Sequence, residues 1–388
     1  MRETIMLDYE TLKLVWWGLV GALLIGFAIT DGMDMGVGSL LPFVAKTDTE
    51  RRVAINTVGP HWDGNQVWFI TAGGAIFAAW PAVYAAAFSG FYMAMLLVLF
   101  ALFFRPVGFD YRSKIEDPRW RSAWDWGLFA GGAIPALIFG VAFGNLLQGV
   151  PFRLDDLLRA HYQGSLFGAL LPLLNPFALL CGAISLAMLA AHGGVWLALR
   201  ASGEVAERST RLVVRLAPLV TVAFGLAGIW VWLGIDGFRI VSAPAHGAQP
   251  NPLAKEVVRA AGAWFDVYRD VPAAILAPVL GLLGPLATAG LVAARRPGLG
   301  FVTSGLGMAG IIATAGLSMF PFVLPSSLDP RSSLTVWDAV SSHLTLTVMF
   351  WAVVIFLPLV LAYTVWCYAA MWGRVTAGEI EARSHSAY

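Results

Sequence analysis

Three carboxylates, a histidine and three amides stand in this chain where apolar residues are expected. Asp31 and Asp34, in DGMDMGVG, close the first long apolar run. Asn56, His61, Asp63, Asn65 and Gln66 lie just ahead of ITAGGAIFAAW, in a segment that otherwise reads as a membrane span. An acid within a span costs roughly 2.5–3.5 kcal/mol on insertion scales, so it faces protein or trapped water. Carboxyl groups that are crowded and cut off from water hold a proton more readily. The chemistry such a cluster can do is proton uptake and release. A structural knot is the other reading, with Asp63 paired to Arg105 or to His61 and tying helices together. A metal site is disfavoured, because no His/Cys set accompanies the acids at ligand spacing.

The elements that position these residues are membrane helices. Of 388 residues, 58% are hydrophobic and 13% charged, and the mean hydropathy is +0.72. Apolar runs long enough to cross a bilayer recur throughout, and the alternation of a membrane barrel is missing. We expect an all-α, polytopic membrane protein forming one transmembrane domain over 1–388. Its nine spans are about 14–41, 56–79, 83–104, 123–147, 177–199, 212–234, 272–294, 300–322 and 342–372. The basic residues test this count. With the N-terminus outside, the inner segments hold Lys46, Arg51 and Arg52; Arg105, Arg112, Lys114, Arg119 and Arg121; Arg200, Arg208, Arg211 and Arg215; Arg295 and Arg296; and Arg374 and Arg383. That is the larger share of the 25 Lys and Arg, which predicts N-out and C-cytoplasmic and requires an odd number of spans.

Depth follows from helix geometry. Asp34 stands seven residues before the inner end of span one at Leu41, and Asp63 seven after the inner start of span two at Asn56. At about 1.5 Å per residue both lie about 10 Å below the inner surface. A short loop makes the two helices antiparallel neighbours, and Asp31 sits one turn deeper on nearly the same face as Asp34. Pro60 cannot donate to the carbonyl of Asn56, which frees an acceptor in the same turn. The spacing thus predicts that Asp31, Asp34, Asp63 and His61 cluster near the inner face.

The remaining features are mostly structural. Trp16, Trp17, Trp80, Trp120, Trp124, Trp230, Trp232 and Trp372 mark span ends as interfacial anchors. Gly32/Gly36 and Gly140/Gly144 fit close helix packing, and Pro172, Asn175 and Pro176 read as a turn into span five. In the outer loop 235–271, Asn251-Pro252 is a plausible helix start. Val257, Ala261, Trp264 and Tyr268 then recur at helical spacing, which predicts an amphipathic surface helix. Cys181 and Cys367 read as buried thiols. Of the six histidines, His192 and His343 lie in spans without a paired haem ligand, and His161, His246 and His385 lie in loops or the tail. On the residues alone, acids within spans favour a proton-coupled secondary transporter.

The ordered blocks change that preference. DGMDMGVG, GPHWDGNQVWFITAGG, AAFSGFY, LFFRPVGFDYRSK, GVAFGNLLQGVPF, GIDGF, NPLAKEVVRAAGAW, MFPFVLPSS and LTVMFWAVV resemble subunit II of the cytochrome bd-type quinol oxidases, a family that includes cyanide-insensitive variants. The resemblance runs from residue 12 almost to the end of the chain. It implies a subunit of a bacterial inner-membrane respiratory enzyme of the translocase class, with two four-helix bundles and one peripheral helix. Such an enzyme reduces O2 to water with electrons from ubiquinol or menaquinol, electrogenically and without pumping. It further implies a homologous subunit I that holds two b-type haems, a d-type haem and the quinol site. The chain itself would then not be catalytic, and it would bind no metal. Carried over by motif, Asp63 becomes a relay carboxylate at the subunit I interface, flanked by Trp62 and Trp68. Arg105 and Asp110 of RPVGFD stand near the entrance, and Asp31, Asp34, His61 and Asn65 support the route. Some members hold a structural ubiquinone in this subunit. Implied partners are subunit I, quinol and lipid, with a small accessory subunit left open and no nucleic acid. The transporter remains as the alternative.

Overall fold

The computed structural model describes residues 7–162, 170–382 and 388; Arg383 and His385 lie outside them. Among the described residues the helices are α1 (Tyr9–Val44), α2 (Asp48–Asn56), α3 (Trp62–Ala79), α4 (Pro81–Gly90), α5 (Tyr92–Leu102), α6 (Phe104–Tyr111), α7 (Pro118–Gln148), α8 (Leu170–Leu173), α9 (Pro176–Arg200), α10 (Gly203–Gly234), α11 (Val267–Asp270), α12 (Leu276–Ala293), α13 (Pro297–Met319), α14 (His343–Ala370) and α15 (Ala377–Ala382). Among the described residues, eight segments are long and apolar enough to cross a membrane: Tyr9–Val44, Tyr92–Lys114, Pro118–Gln148, Pro176–Arg200, Gly203–Gly234, Pro272–Ala293, Pro297–Met319 and His343–Ala370. The second expected span, 56–79, is not among them. Its chain is broken at Thr57–His61, where Gly59 and Pro60 end α2, and the helix restarts at Trp62. The third, 83–104, is offset at Phe91, where the Tyr162 hydroxyl donates to the Ala86 carbonyl.

Helix α1 is the hub, packed against α3, α7, α9 and α13. Close approach explains the small residues. A Cβ added at Gly36 would fall on the Leu189 carbonyl and Gly193 of α9, and one at Gly144 on Ala178 and Cys181. Asn175 caps α9 by accepting from Ala178 N, with Pro176 as its first residue, as the turn residues predict. Helices α10, α12 and α13 continue from α9 as a second packed group. Cys181 and Cys367 are free but only half-buried.

The opposite end from Val44 carries three short antiparallel pairs: β1 (Phe152–Leu154) with β2 (Ala160–Tyr162), β3 (Gly237–Ser242) with β4 (Glu256–Ala260), and β5 (Phe322–Leu324) with β6 (Leu334–Thr335). The pair β3–β4 corrects the expectation of an amphipathic helix within 235–271. Residues 256–260 find backbone partners in 237–242, a pairing across the loop that local periodicity does not register. The aromatic residues of that stretch face protein instead of a membrane surface. Trp264 is buried and its Nε1 donates to Leu147 O at 2.9 Å, while Tyr268 Oη meets Ser318 Oγ at 3.0 Å. Trp264→Phe should lower stability by at least about 1 kcal/mol, through the lost bond and the space the smaller ring leaves. A modest fall in the thermal midpoint of the purified protein checks it, and an unchanged midpoint contradicts it.

Candidate functional site

Near the Val44 end, α1 turns two carboxylates inward one helical turn apart. Asp31 and Asp34 are each 1% exposed, and Arg105 of α6 comes between helices to meet them at 2%. The guanidinium holds Asp31 in a fork: Nη1 donates to Oδ2 at 2.8 Å and Nη2 donates to Oδ1. Asp34 has less. Its Oδ2 lies 3.8 Å from Arg105 Nη2 and accepts from Asn65 Nδ2 at 2.8 Å, while Oδ1 is buried without a partner. Asn65 Oδ1 in turn accepts from the Tyr368 hydroxyl of α14 at 2.7 Å. Four helices therefore meet at one polar string, Arg105–Asp31/Asp34–Asn65–Tyr368.

Around this string the aromatic residues are tightly placed. His61 stacks on Tyr368 with ring centroids 4.6 Å apart, and both its ring nitrogens are buried without partners. Trp196 lies edge-on to His61 and donates from Nε1 to Thr57 O at 3.1 Å. Trp62 stacks on Phe109 and offers its face to Arg105 at 5.7 Å. Trp68 closes against Gly26 of α1.

The structure corrects the expected clustering of three acids. Asn65, and not Asp63, meets Asp34. Two residues apart on a helix, the pair points in nearly opposite directions, and Asp63 is exposed. Nor does Asp63 pair with Arg105 or His61, since Arg105 is taken by Asp31; it remains within electrostatic reach of Arg105. Asp110 is likewise exposed, whereas Arg105 is buried.

Two features escaped the sequence. Tyr368 is separated from Asn65 by most of the chain, and only a phenol inside an apolar run signalled it. Asp125 of α7 is the other. It is buried with Arg112, whose Nε it accepts at 2.6 Å, and it pairs with Arg51 at 2.7 Å. Asp48 extends this ion network to Arg112 and Arg121. Asp125 lies at the polar start of a span, and its burial depends on partners brought in by the fold. Tyr368→Phe should leave Asn65 Oδ1 short of a donor and lower stability by about 1 kcal/mol. A thermal melt reads this directly, and a melt identical to wild type would show the bond to be dispensable.

Haem ligation does not fit the three histidines of the spans and the polar string, His192, His343 and His61. His192 is fully buried with both nitrogens engaged, Nδ1 by Ser304 Oγ at 2.9 Å and Nε2 by Ile29 O at 3.0 Å. His343 Nε2 is held by Leu7 O. The nitrogens of His61 are unengaged, but its ring is packed between Tyr368 and Trp196.

Comparison with known proteins bears on all of this. The sequence profile of the family described as cytochrome bd terminal oxidase subunit II matches residues 12–371. The chain is 56% identical to cytochrome bd-I ubiquinol oxidase subunit 2 of Escherichia coli (strain K12), over 99% of this chain and 100% of that one. It is 54% identical to a probable cytochrome oxidase subunit 2 of Haemophilus influenzae over the same shares. Against cytochrome bd ubiquinol oxidase subunit 2 of Bacillus subtilis the identity is 31%, over 94% of this chain and 97% of that one. In fold it is similar to a chain of the bd oxidase of Geobacillus thermodenitrificans, with a TM-score of 0.60 at 16% identity, covering 91% of this chain and 96% of that one.

Proposed function

The chain belongs to the cytochrome bd terminal oxidase subunit II family, and from that premise we propose that it passes protons to the haems of a neighbouring subunit. Membership makes it a multi-pass membrane subunit of a haem-containing quinol oxidase that works with a subunit I. Nothing in that membership supports a secondary transporter. The observation that carries the proposal is the buried string at the Val44 end. Asp34 keeps one oxygen unbonded, and both nitrogens of His61, which stacks on the Tyr368 ring at the far end of the string, are unbonded too. Unpaired polar atoms of this kind are filled by water, and a carboxylate with water beside it can exchange a proton.

The route leaves the chain through α3. Asp63, Val67 and Ile70 form one exposed stripe on that helix, and most of α14 is exposed as well. An acid on an apolar stripe must be covered by protein or trapped water, and subunit I is the cover we assign. Asp110 lies on the entrance side, Arg105 sets the charge that Asp31 and Asp34 balance, and Trp62 and Trp68 hold α3 in place. In this reading α3 is the ninth span, the arrangement is two four-helix bundles with α14 at the periphery, and the Val44 end is cytoplasmic. The basic residues clustered at that end support the orientation. The b- and d-type haems belong to subunit I, the complex is electrogenic without pumping, and it resides in the bacterial inner membrane. An apolar cavity of about 860 Å³ bordered by α1, α3, α7, α9, α10, α12 and α13, and walled by Phe27, Phe69, Phe139, Phe177 and Trp232, has the size and lining for a structural ubiquinone.

Asp63→Asn tests the exit. Oxygen consumption per haem should fall on the order of a hundredfold while the reduced-minus-oxidised haem spectrum persists, and Asp63→Glu should recover part of it. Undiminished turnover in the asparagine variant removes Asp63 from the route. Loss of haem and partner together would mark it as structural.

A further inference from the structure

Arginines 208, 211 and 215 lie on one face of α10, close to its start. They border an open cleft of about 610 Å³ between α10 and the end of α1, with Phe43, Leu212, Leu216 and Leu219 as its apolar wall. The three cations differ in how they are engaged. Arg208 is balanced: it donates to Glu50 Oε2 at 2.8 Å and to Val44 O at 3.0 Å, and pairs with Glu204 at 3.6 Å. Glu207, one turn before Arg211, is taken by Arg295. Arg211 and Arg215 have no side-chain hydrogen bond or ion pair among the described residues.

From Arg211 the same face continues through Arg215 to Leu219, Val222, Leu226 and Ile229, all exposed. Spacing of three and four keeps these residues on one stripe. It begins with two cations that make no hydrogen bond or ion pair among the described residues and turns entirely apolar within two turns. That is the profile of a helix face passing from phospholipid head groups into acyl chains, with the arginine stems lying along apolar surface and their heads at the boundary.

We propose that this cleft binds a phospholipid with a net negative head group. The phosphate would sit between Arg211 and Arg215, and an acyl chain would run along the Leu219–Ile229 stripe. A guanidinium suits a phosphate because it can donate two parallel hydrogen bonds. A zwitterionic head group brings its own cation to a site that already has two. Basic pockets between spans recognise anionic lipid on this electrostatic basis.

The test uses the purified two-subunit oxidase, equilibrated with equal phosphatidylglycerol and phosphatidylethanolamine, with bound lipid counted by native mass spectrometry. Wild type should retain phosphatidylglycerol preferentially. R211Q/R215Q should lose roughly thirtyfold in affinity for it, at the usual increment per charge near a membrane surface. K46Q/R374Q, which removes two exposed cations from the same end but outside the cleft, should retain it. Should the double variant not assemble, R215Q alone carries the test, with a loss of roughly fivefold. No preference in wild type, or equal retention in R211Q/R215Q, overturns the proposal. Displacement of the lipid by millimolar inorganic phosphate would also overturn it, by assigning the site to a free anion.

Discussion

Arg105→Met should abolish accumulation of assembled oxidase in the membrane. The guanidinium is the cation that both buried carboxylates on α1 face, forked to Asp31 and 3.8 Å from Asp34. Removing it leaves uncompensated charge in a site cut off from bulk water. Breaking a buried pair from one side costs about 3–5 kcal/mol, a large part of the stability of an ordinary domain. The same principle says that the loss lies in the orphaned charge and not in the missing bond. Asp31→Asn added to Arg105→Met should therefore restore a large part of the assembled protein, because the strongest uncompensated charge is then gone. Immunoblot of the membrane fraction together with haem content reads both variants. Normal assembly of Arg105→Met would show that α1 and α6 do not depend on this ion pair, and no recovery in the double variant would place the cost elsewhere.

Asp34→Asn should lower turnover steeply with little effect on assembly. An amide has nearly the shape of the carboxylate, and its oxygen can accept from Asn65 Nδ2 as Asp34 Oδ2 does at 2.8 Å. The α1–α3 contact is thereby kept, but the amide cannot carry a proton. Oxygen consumption per haem should fall on the order of a hundredfold, with the haem spectrum and subunit ratio unchanged. If Asp34 only holds helices together, the asparagine variant should turn over like wild type.

Much of this site was legible in the sequence, and the reason is that helices are local. The position of Asp31 and Asp34 on one face, and the adjacency of that face to the segment around Asn65, follow from residue spacing and a short connection. Partner choice did not follow. Arg105 meets Asp31, and Tyr368 of α14 meets Asn65, through packing of helices distant in sequence. Two positions along α3 separate Asp63 from Asn65, and the rotation of the helix decides which of them meets Asp34. The restart of the helix at Trp62, after Gly59-Pro60, sets that rotation, and an unbroken helix from Asn56 does not give it. The β3–β4 hairpin was hidden for a similar reason: Val257, Trp264 and Tyr268 have helical spacing, but the strand that pairs with 256–260 lies on the far side of the loop. The burial of Asp125 is equally non-local, since Arg112 and Arg51 close over it from other parts of the chain.

Proton arrival itself is the most direct readout. Fully reduced oxidase in lightly buffered solution with a pH-sensitive dye can be mixed rapidly with O2, and proton uptake followed in the first turnover. The account requires that Asp34→Asn slow this uptake by at least an order of magnitude while electrons leave the haems at the wild-type rate. Uptake as fast as wild type, in a variant with full haem, would mean that hydrogen ions reach the oxygen chemistry by a path that bypasses the α1 carboxylates.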